Sequence, residues 1–231
     1  MKIKKKLKLI FLTITVPLLV FVLWLFLGKA PETEKINWGI SFSQKQSELL
    51  KIPWQDNYLA ILDDLKVKHL KVTAYWDLIE REPEKYFFND LDFQVKEAKK
   101  RNTKLILAIG RKVPRWPECH IPDWAKSLDE QAQQESVLKL IEKIVLRYKD
   151  YDNVLAWQVE NEPFFPFGDC PETDEKFLKK EIELVRKLNP EKLIIISDSG
   201  SNRFWIKPAI LGDEVSISLY RKVWFHNLNS Y

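Results

Sequence analysis

The chain has 231 residues, of which 45% are hydrophobic and 30% are charged, a balance that suits one globular domain with a short appendage. The formal net charge of +4 includes five lysines and no acidic residue in residues 1–8, so the remainder carries +4 − 5 = −1. A nearly neutral remainder without a basic stripe excludes nucleic acid as an expected partner.

The first predicted element is a membrane helix. Residues 9–28 carry no charge, and a run of this length can cross a bilayer as a helix. Lysines before such a run favour a cytoplasmic N-terminus. We predict a basic cytoplasmic tail over 1–8, a single-pass signal-anchor over 9–28 and a linker over 29–35, with the following domain outside the cytoplasm. A cleaved signal peptide, which would release a secreted protein, is the alternative, although Lys29 interrupts the small residues that a cleavage site needs.

From residue 36 onward, predicted strands and helices alternate. Apolar runs predict the strands, and apolar residues at helical spacing predict the helices between them. Strands are expected at 36–42, 67–75, 103–109, 154–159, 193–197 and 215–220. This alternation is typical of a parallel sheet buried on both faces, so we predict an α/β fold, the (β/α)8 TIM barrel, over 36–231. An open doubly wound sheet is the alternative, but the first strand lacks a glycine-rich phosphate loop.

Asn161-Glu162-Pro163 follows directly after the fourth predicted strand. In parallel barrels the C-terminal ends of the strands form the active site. A carboxyl group at such an end is well placed to give a proton to a leaving group and take it back. A surface turn without function is the alternative. Because side chains alternate along a strand, Glu160 is expected to point the other way and to be structural.

Several segments resemble the retaining glycoside hydrolases of clan A, the TIM-barrel enzymes that include cellulases, mannanases and β-galactosidases. Trp157-Gln-Val-Glu-Asn-Glu-Pro163 is similar to the fourth-strand motif of that clan, and weaker similarity is found at 70–76, 79–83, 90–92, 106–110, 114–116 and 215–220. The resemblance covers residues 36–224 and implies hydrolysis of O-glycosidic bonds in β-linked glycans or glycosides. It also implies that Glu162 is the acid/base and that Asn161 hydrogen-bonds the sugar 2-hydroxyl.

Two departures from the clan pattern bear on the chemistry. Lys71 stands where many members have Arg, which keeps the charge but loses the two-pronged geometry. The clan's nucleophile is a Glu at the end of the seventh strand, and no residue here matches it. Because the chain stops at Tyr231, shortly after the sixth strand, we expect an incomplete barrel of about six of the eight βα units. A C-terminally truncated gene or sequence is the expected cause, and a partner chain that supplies the last strands or a degenerate binding protein are the alternatives.

Aromatic residues just beyond the strand ends are candidates for stacking against sugar rings. Trp76, Trp116 and Trp224 occupy such positions, with core or loop packing as the alternative for each. Tyr220 resembles the substrate-facing Tyr that ends the sixth strand in many clan members. His120 follows the third strand and either lines the cleft or stabilises its loop.

Cys119 and Cys170 fall in loops after successive predicted strands, which a barrel brings near each other. Export from the cytoplasm would permit a disulfide between them, and two unpaired thiols are the alternative. The three histidines are scattered without the spacing of metal ligands, so we expect neither a metal nor an organic cofactor.

These observations predict a membrane-anchored glycoside hydrolase that acts by a retaining mechanism, with carbohydrate as its substrate and with no nucleophile in this chain. Without that group the chain itself would be inactive, because retaining hydrolysis needs two carboxyl groups. A membrane-anchored carbohydrate-binding pseudoenzyme without turnover is one alternative. A membrane-tethered structural module is the other.

Overall fold

The structure, a computed structural model, describes residues 2–27, 36–172, 174–200 and 205–219. Two compact units divide the chain, Met1–Asn37 and Trp38–Tyr231, and each is described by itself. The predicted substrate-binding residues Tyr220 and Trp224 lie outside the described residues.

The first unit carries helix α1 (Lys2–Leu27), which spans both the basic segment and the uncharged run and has Pro17 inside it. Among the residues that the structure describes, no helix combines the length and the apolar character needed to cross a membrane. The predicted membrane span therefore has no support from the structure.

In the described part of the second unit, six strands form one sheet in which every neighbouring pair is parallel and the spatial order follows the chain order. The strands are β1 (Gly39–Ser41), β2 (His69–Thr73), β3 (Lys104–Ile109), β4 (Val154–Val159), β5 (Leu193–Ser199) and β6 (Glu214–Ser218). Parallel neighbours need long crossover connections, which helices supply here. This is the arrangement of a partial (β/α)8 barrel, as the sequence predicts.

The helices alternate with the strands along the second unit. They are α2 (Gln44–Leu49), α3 (Trp54–Asp63), α4 (Trp76–Ile79), α5 (Asn89–Lys100), α6 (Glu130–Tyr148), α7 (Glu175–Leu188) and α8 (Ile206–Leu211), with a 3-10 turn at Asp123–Ala125. Aspartate side chains begin the two longest crossover helices: Asp129 accepts from the main-chain N–H of Ala132 before α6, and Asp174 accepts from that of Lys176 before α7. Such caps satisfy N–H groups that have no partner within the helix.

The core lies between the strands and the helices that cover them. Leu105, Leu107 and Ile109 of β3 are fully buried in one apolar cluster with α6 and α7. Burying a side chain of this size contributes about 1.5–3 kcal/mol. Trp157 of β4 is also fully buried, and its indole N–H donates to Oδ1 of Asn189 at 2.9 Å. This bond ties β4, the strand that precedes Glu162, to the end of α7.

Within the described sheet, β1 and β6 are the two end strands. Burial falls off sharply at β6. Ile194 and Ile196 of β5 are 0% exposed, whereas Val215 and Ile217 of β6 are 36% and 40% exposed. Of these two neighbouring strands, β5 therefore packs in the core, whereas the apolar side chains of β6 are partly exposed.

Candidate active site

The turn that follows β4 is held in an unusual backbone conformation. Glu160 has φ = 57° and Glu162 has φ = 45°, both in the left-handed region that non-glycine residues seldom adopt. Two hydrogen bonds donated by the turn hold it in place: the Asn161 N–H donates to the carbonyl of Lys112 in the loop after β3 at 2.6 Å, and the Glu162 N–H donates to Oγ of Ser197 in β5 at 2.8 Å. Strained conformations that persist under such constraint cluster at functional sites.

The Glu162 carboxyl group lies at the C-terminal ends of the strands, where the sequence places it. Its Oε1 accepts a hydrogen bond from Oγ of Ser218, at the end of β6. Burial lowers the pKa of Lys71 of β2 and raises that of Glu118 in the loop after β3, and the charge of Glu162 opposes the first shift and adds to the second. Ser218 thus contacts this carboxyl group directly, and Lys71 and Glu118 interact with it through their charges.

The ammonium group of Lys71, on β2, places a positive charge in the site. Its Nζ donates to Oε1 of Gln158 at 3.2 Å, across the sheet from β2 to β4. Burial lowers the pKa of Lys71, and the charges of Glu162 and Glu118 oppose that shift. An ammonium group is a point charge, so it stabilises nearby carboxylates without the bidentate geometry of a guanidinium group.

The amide of Asn161 is bonded at both ends. Its Nδ2 donates to Oε2 of Glu118 at 2.8 Å, and its Oδ1 accepts from Nε2 of Gln158 at 3.2 Å and from Oγ of Ser197 at 3.5 Å. Because an amide NH2 group has two donor hydrogens, these bonds leave one N–H of Asn161 for a ligand.

Glu118 is a second carboxyl group of the site and is almost completely buried. Burial raises its pKa, and the charge of Glu162 adds to the rise. The hydrogen bond from Asn161, the charge of Lys112 and the Arg115 N–H, which lies 3.1 Å from Oε1, oppose it.

Glu160 points away from this group and is structural, as the sequence predicts. Its two carboxyl oxygens accept from the main-chain N–H groups of Arg111 at 2.6 Å and Lys112 at 2.7 Å. Glu181 of α7, which is also buried, hydrogen-bonds to it. Burial first, and then the charge of Glu160, raise the pKa of Glu181 well above its ordinary range, so Glu181 is the neutral member of the pair.

Two further links join the loop after β3 to the loop after β4. The ammonium group of Lys112 donates to the main-chain carbonyls of Phe165 at 2.6 Å and Glu162 at 3.1 Å. Cys119 and Cys170 form a disulfide with their Cα atoms 5.3 Å apart, in agreement with the pairing considered from the sequence. A covalent bond therefore joins the loop after β3 to the loop after β4, which carries Glu162.

The structure corrects the prediction that Trp76 offers a stacking face to sugar. Its side chain is 0% exposed, its indole N–H donates to Oε2 of Glu80 at 2.7 Å, and it packs edge-on against Trp124. Trp76 begins α4 and is turned into the core, so no face remains for a ligand. Trp116, by contrast, is 64% exposed and lies edge-on to Phe167 at 5.9 Å, which leaves it as the stacking candidate among the described tryptophans named from the sequence.

The structure also decides between the two roles considered for His120. It is buried, its Nε2 donates to the carbonyl of Arg115 at 3.0 Å, and its ring lies 4.6 Å from that of Tyr75. Burial lowers its pKa to about 4, and the charge of Lys45 adds to the effect. His120 is therefore a neutral residue that stabilises its loop, and the prediction that it contacts substrate is wrong for this arrangement.

Five residues of the site escaped the sequence reasoning: Lys112, Glu118, Gln158, Ser197 and Ser218. The two serines had a usable signal, because each lies at or near the C-terminal end of a predicted strand. In the part of the chain that the structure describes, no group of three or more His, Cys, Asp or Glu residues is arranged to hold a metal ion.

No family model matches the chain. Over 136 residues it is 28% identical to mannan endo-1,4-beta-mannosidase 8 of Oryza sativa subsp. japonica, covering 49% of this chain and 36% of that protein. A beta-galactosidase from the Antarctic haloarchaeon Halorubrum lacusprofundi matches with a TM-score of 0.59 and 14% identity, over 80% of this chain and 40% of that one. A glycosylated endo-beta-1,4-xylanase of glycoside hydrolase family 10 from Gloeophyllum trabeum matches with a TM-score of 0.57 and 18% identity, over 78% and 60%.

These likenesses confirm the predicted resemblance to the TIM-barrel glycoside hydrolases of clan A. At their low identity, the solved structures show the shared fold alone. The chain spans 36% to 60% of the length of these three relatives.

Proposed function

We propose that this protein hydrolyses β-linked O-glycosidic bonds by a retaining mechanism, with Glu162 as the acid/base. The observation that carries the proposal is the position of the Glu162 carboxyl group. It stands at the C-terminal end of β4 on a strained turn, its N–H is fixed by Ser197, and its side chain is fixed by Ser218. Catalytic groups of parallel barrels occupy this position.

The relatives support the same class of substrate. Their names describe a mannan endo-1,4-beta-mannosidase, a beta-galactosidase and an endo-beta-1,4-xylanase. All three act on β-linked sugars by name, and they differ in the sugar. We therefore propose a β-linked glycan or glycoside as the substrate and leave the sugar open.

The geometry suggests which oxygen carries the proton. Because Ser218 donates to Oε1 of Glu162, that oxygen is an acceptor, and the proton for the leaving group belongs on Oε2. In the first step this proton passes to the glycosidic oxygen as its bond to the anomeric carbon breaks and that carbon bonds to a carboxylate nucleophile. In the second step the Glu162 carboxylate takes a proton from a water molecule, whose oxygen bonds to the anomeric carbon and displaces the nucleophile.

A retaining mechanism needs a second carboxylate about 5–5.5 Å from the first. Glu118 is the other carboxyl group of the site, but its oxygens accept from Asn161 and from the Arg115 N–H, and it is buried. We therefore assign Glu118 no nucleophilic role, and the nucleophile stays unassigned among the described residues.

The activity test uses the protein expressed from its complete gene. The 4-nitrophenyl β-glycosides of mannose, galactose and xylose are the substrates, Glu162→Gln is the test variant, and Glu172→Gln is the control because Glu172 is an exposed carboxyl group in the loop after β4. We expect Glu172→Gln to act like wild type and Glu162→Gln to lose activity, because a general acid or base contributes about 10²–10⁴-fold. Equal rates for wild type and Glu162→Gln would overturn the assignment. Sugar binding without turnover would favour the pseudoenzyme instead.

We propose further that the domain works outside the cytoplasm. The disulfide between Cys119 and Cys170 supports this, because such bonds persist in oxidising compartments and are rare in the cytosol. Mass spectrometry of protein alkylated directly in its native cells would detect two free thiols if the proposal is wrong. Attachment to a membrane through residues 9–28 stays a prediction from the sequence.

A further inference from the structure

A chain of side-chain hydrogen bonds crosses the floor of the candidate site in a single direction. Lys71 Nζ donates to Oε1 of Gln158 at 3.2 Å. Nε2 of Gln158 donates to Oδ1 of Asn161 at 3.2 Å, and Nδ2 of Asn161 donates to Oε2 of Glu118 at 2.8 Å. A cation begins this chain and a carboxyl group ends it. Hydrogen bonds aligned in this way polarise one another.

The two ends of the chain, together with the Glu160 carbonyl, which also accepts from Nε2 of Gln158 at 3.1 Å, orient both amides. An ammonium group can only donate, so the oxygen of Gln158 must face Lys71 and its NH2 group must face Asn161. An ionised carboxyl group can only accept, so the NH2 group of Asn161 must face Glu118. Without an acceptor at Glu118, the Asn161 amide would lose the strongest constraint on its orientation, because hydrogen bonds to a charged group are about twice as strong as neutral ones.

Main-chain hydrogen bonds and a neighbouring disulfide fix the position of Glu118. Its N–H donates to the carbonyl of Arg115 at 2.6 Å, and its carbonyl accepts from the N–H of Val113 at 2.9 Å. The next residue, Cys119, is bonded to Cys170. Gly168 lies so close that a Cβ there would come within 2.7 Å of the Glu118 Cβ, so only glycine fits beside it. These contacts therefore fix the main-chain position from which the Glu118 side chain bonds to Asn161.

We propose that Glu118 is a positioning residue, which orients the Asn161 amide so that its free N–H faces the substrate as a donor. This inference rests on the proposed function, because it assigns a role in substrate binding to the same site. It goes beyond that function because it names Glu118 as the residue that directs an N–H of Asn161 toward the substrate. It also predicts that the sugar group contacting Asn161 acts as an acceptor in that contact.

The first measurement tests the positioning and needs no activity. The side-chain NH2 resonances of Asn161 are recorded by ¹⁵N NMR in the full chain and assigned by their loss in Asn161→Ser. We expect Glu118→Gln and Glu118→Ala to shift them, with the larger shift for Ala because Gln keeps a neutral acceptor. Asp169→Asn, which removes a negative charge from an exposed residue of the facing loop, should leave them unmoved. Unmoved resonances in both Glu118 variants would overturn the proposal.

The second measurement tests the consequence for sugar. Binding of β-1,4-mannobiose and xylobiose is measured by calorimetry in each variant, and hydrolysis of the 4-nitrophenyl glycosides is measured with the protein from the complete gene. We expect Glu118→Ala to weaken binding or lower kcat by up to about tenfold, the effect of losing the neutral hydrogen bond from Asn161 to the sugar. Glu118→Gln should recover part of the loss, and Asp169→Asn should match wild type.

Three outcomes are separable. Amide shifts with partial rescue by Gln support the proposal. Where Glu118→Ala is too unstable to purify, an amide shift in Glu118→Gln together with weaker sugar binding than in Asp169→Asn supports it. Amide shifts with unchanged sugar affinity and unchanged kcat overturn the role of Glu118 in binding. If wild type neither binds nor hydrolyses any of these sugars, the proposed function fails, and the amide resonances still decide whether Glu118 orients Asn161.

Discussion

The two sides of Glu162 are built very differently. On the β3 side, three features hold the turn after β4. A disulfide joins the two loops, the Lys112 ammonium group donates to two main-chain carbonyls, and the Glu160 carboxyl group accepts from two main-chain N–H groups. On the β5–β6 side, Glu162 is bonded by two serine hydroxyls, those of Ser197 and Ser218.

This contrast separates two tasks. The β3 side fixes where the backbone of the turn lies, through many bonds that are mostly buried. The β6 side directs the carboxyl group through Ser218, on a strand whose apolar residues Val215 and Ile217 are partly exposed. We therefore expect changes on the β3 side to affect stability first, and a change at Ser218 to affect activity first.

The largest effect is expected at Glu160. Glu160→Ala would leave two buried N–H groups without an acceptor and should lower the free energy of unfolding by about 2–6 kcal/mol, since each orphaned group costs about 1–3 kcal/mol. Glu181→Gln is the matched control. Glu181 is neutral, and glutamine keeps a donor for Glu160, so a loss under about 1 kcal/mol is expected. Urea unfolding measures both, and equal losses would show that the two buried carboxyl groups are equivalent.

The same pair predicts a dependence of stability on pH. The folded-state pKa of Glu181 lies well above its ordinary value of 4.5. The stability from its bound proton is therefore complete below about pH 4.5 and is lost as the pH rises through the folded-state pKa. Unfolding curves at a series of pH values should show wild type losing more stability above this pH than Glu181→Gln. Parallel curves for the two proteins would contradict the assignment of the proton to Glu181.

The disulfide should rank next. Replacing Cys119 and Cys170 by serine together removes a link between residues 51 apart in sequence and should cost about 2–4 kcal/mol. Because Glu118 adjoins Cys119, the NH2 resonances of Asn161 should broaden or shift in the same protein. Full stability in the double serine variant would show that the β3 side does not depend on its covalent link.

The serines give the smallest changes in stability and the clearest test of the contrast. Ser197→Ala leaves the half-buried N–H of Glu162 without its acceptor and should cost about 1–2 kcal/mol. Ser218→Ala removes a donor at an end strand, so we expect less than about 1 kcal/mol of destabilisation with a clear loss of kcat. Thermal unfolding and hydrolysis rates are measured for both. A Ser218→Ala protein with full activity would mean that this hydroxyl does not direct the carboxyl group.

Much of the fold could be predicted from residue patterns alone. The apolar run Val154–Val159 predicts β4 with its observed ends, because the strand is buried by α6 and α7. The first strand is shorter than predicted, Gly39–Ser41, because it is an end strand and Ile36 and Trp38 before it are exposed. The apolar character of a segment alone does not show over how many residues a neighbouring strand pairs with it.

The sequence names some residues of the candidate site and misses others. Asn161 and Glu162 follow a strand, so their place along the chain is enough to propose them, and their roles stay predictions. Trp76 also follows a strand, but it begins a helix that turns it into the core, a direction that spacing does not give. Glu118 reaches Asn161 only because its loop folds back and is joined to the next loop, which depends on three-dimensional contacts.

The most direct test of Glu162 as the acid compares two aryl β-glycosides that differ only in the leaving group. Dinitrophenolate departs readily without a proton, whereas phenolate needs one. We predict that Glu162→Gln hydrolyses the phenyl glycoside about 10²–10⁴-fold more slowly than wild type, with a much smaller loss on the first step for the dinitrophenyl glycoside. Equal losses for the two substrates, or no loss with the phenyl glycoside, would contradict the account.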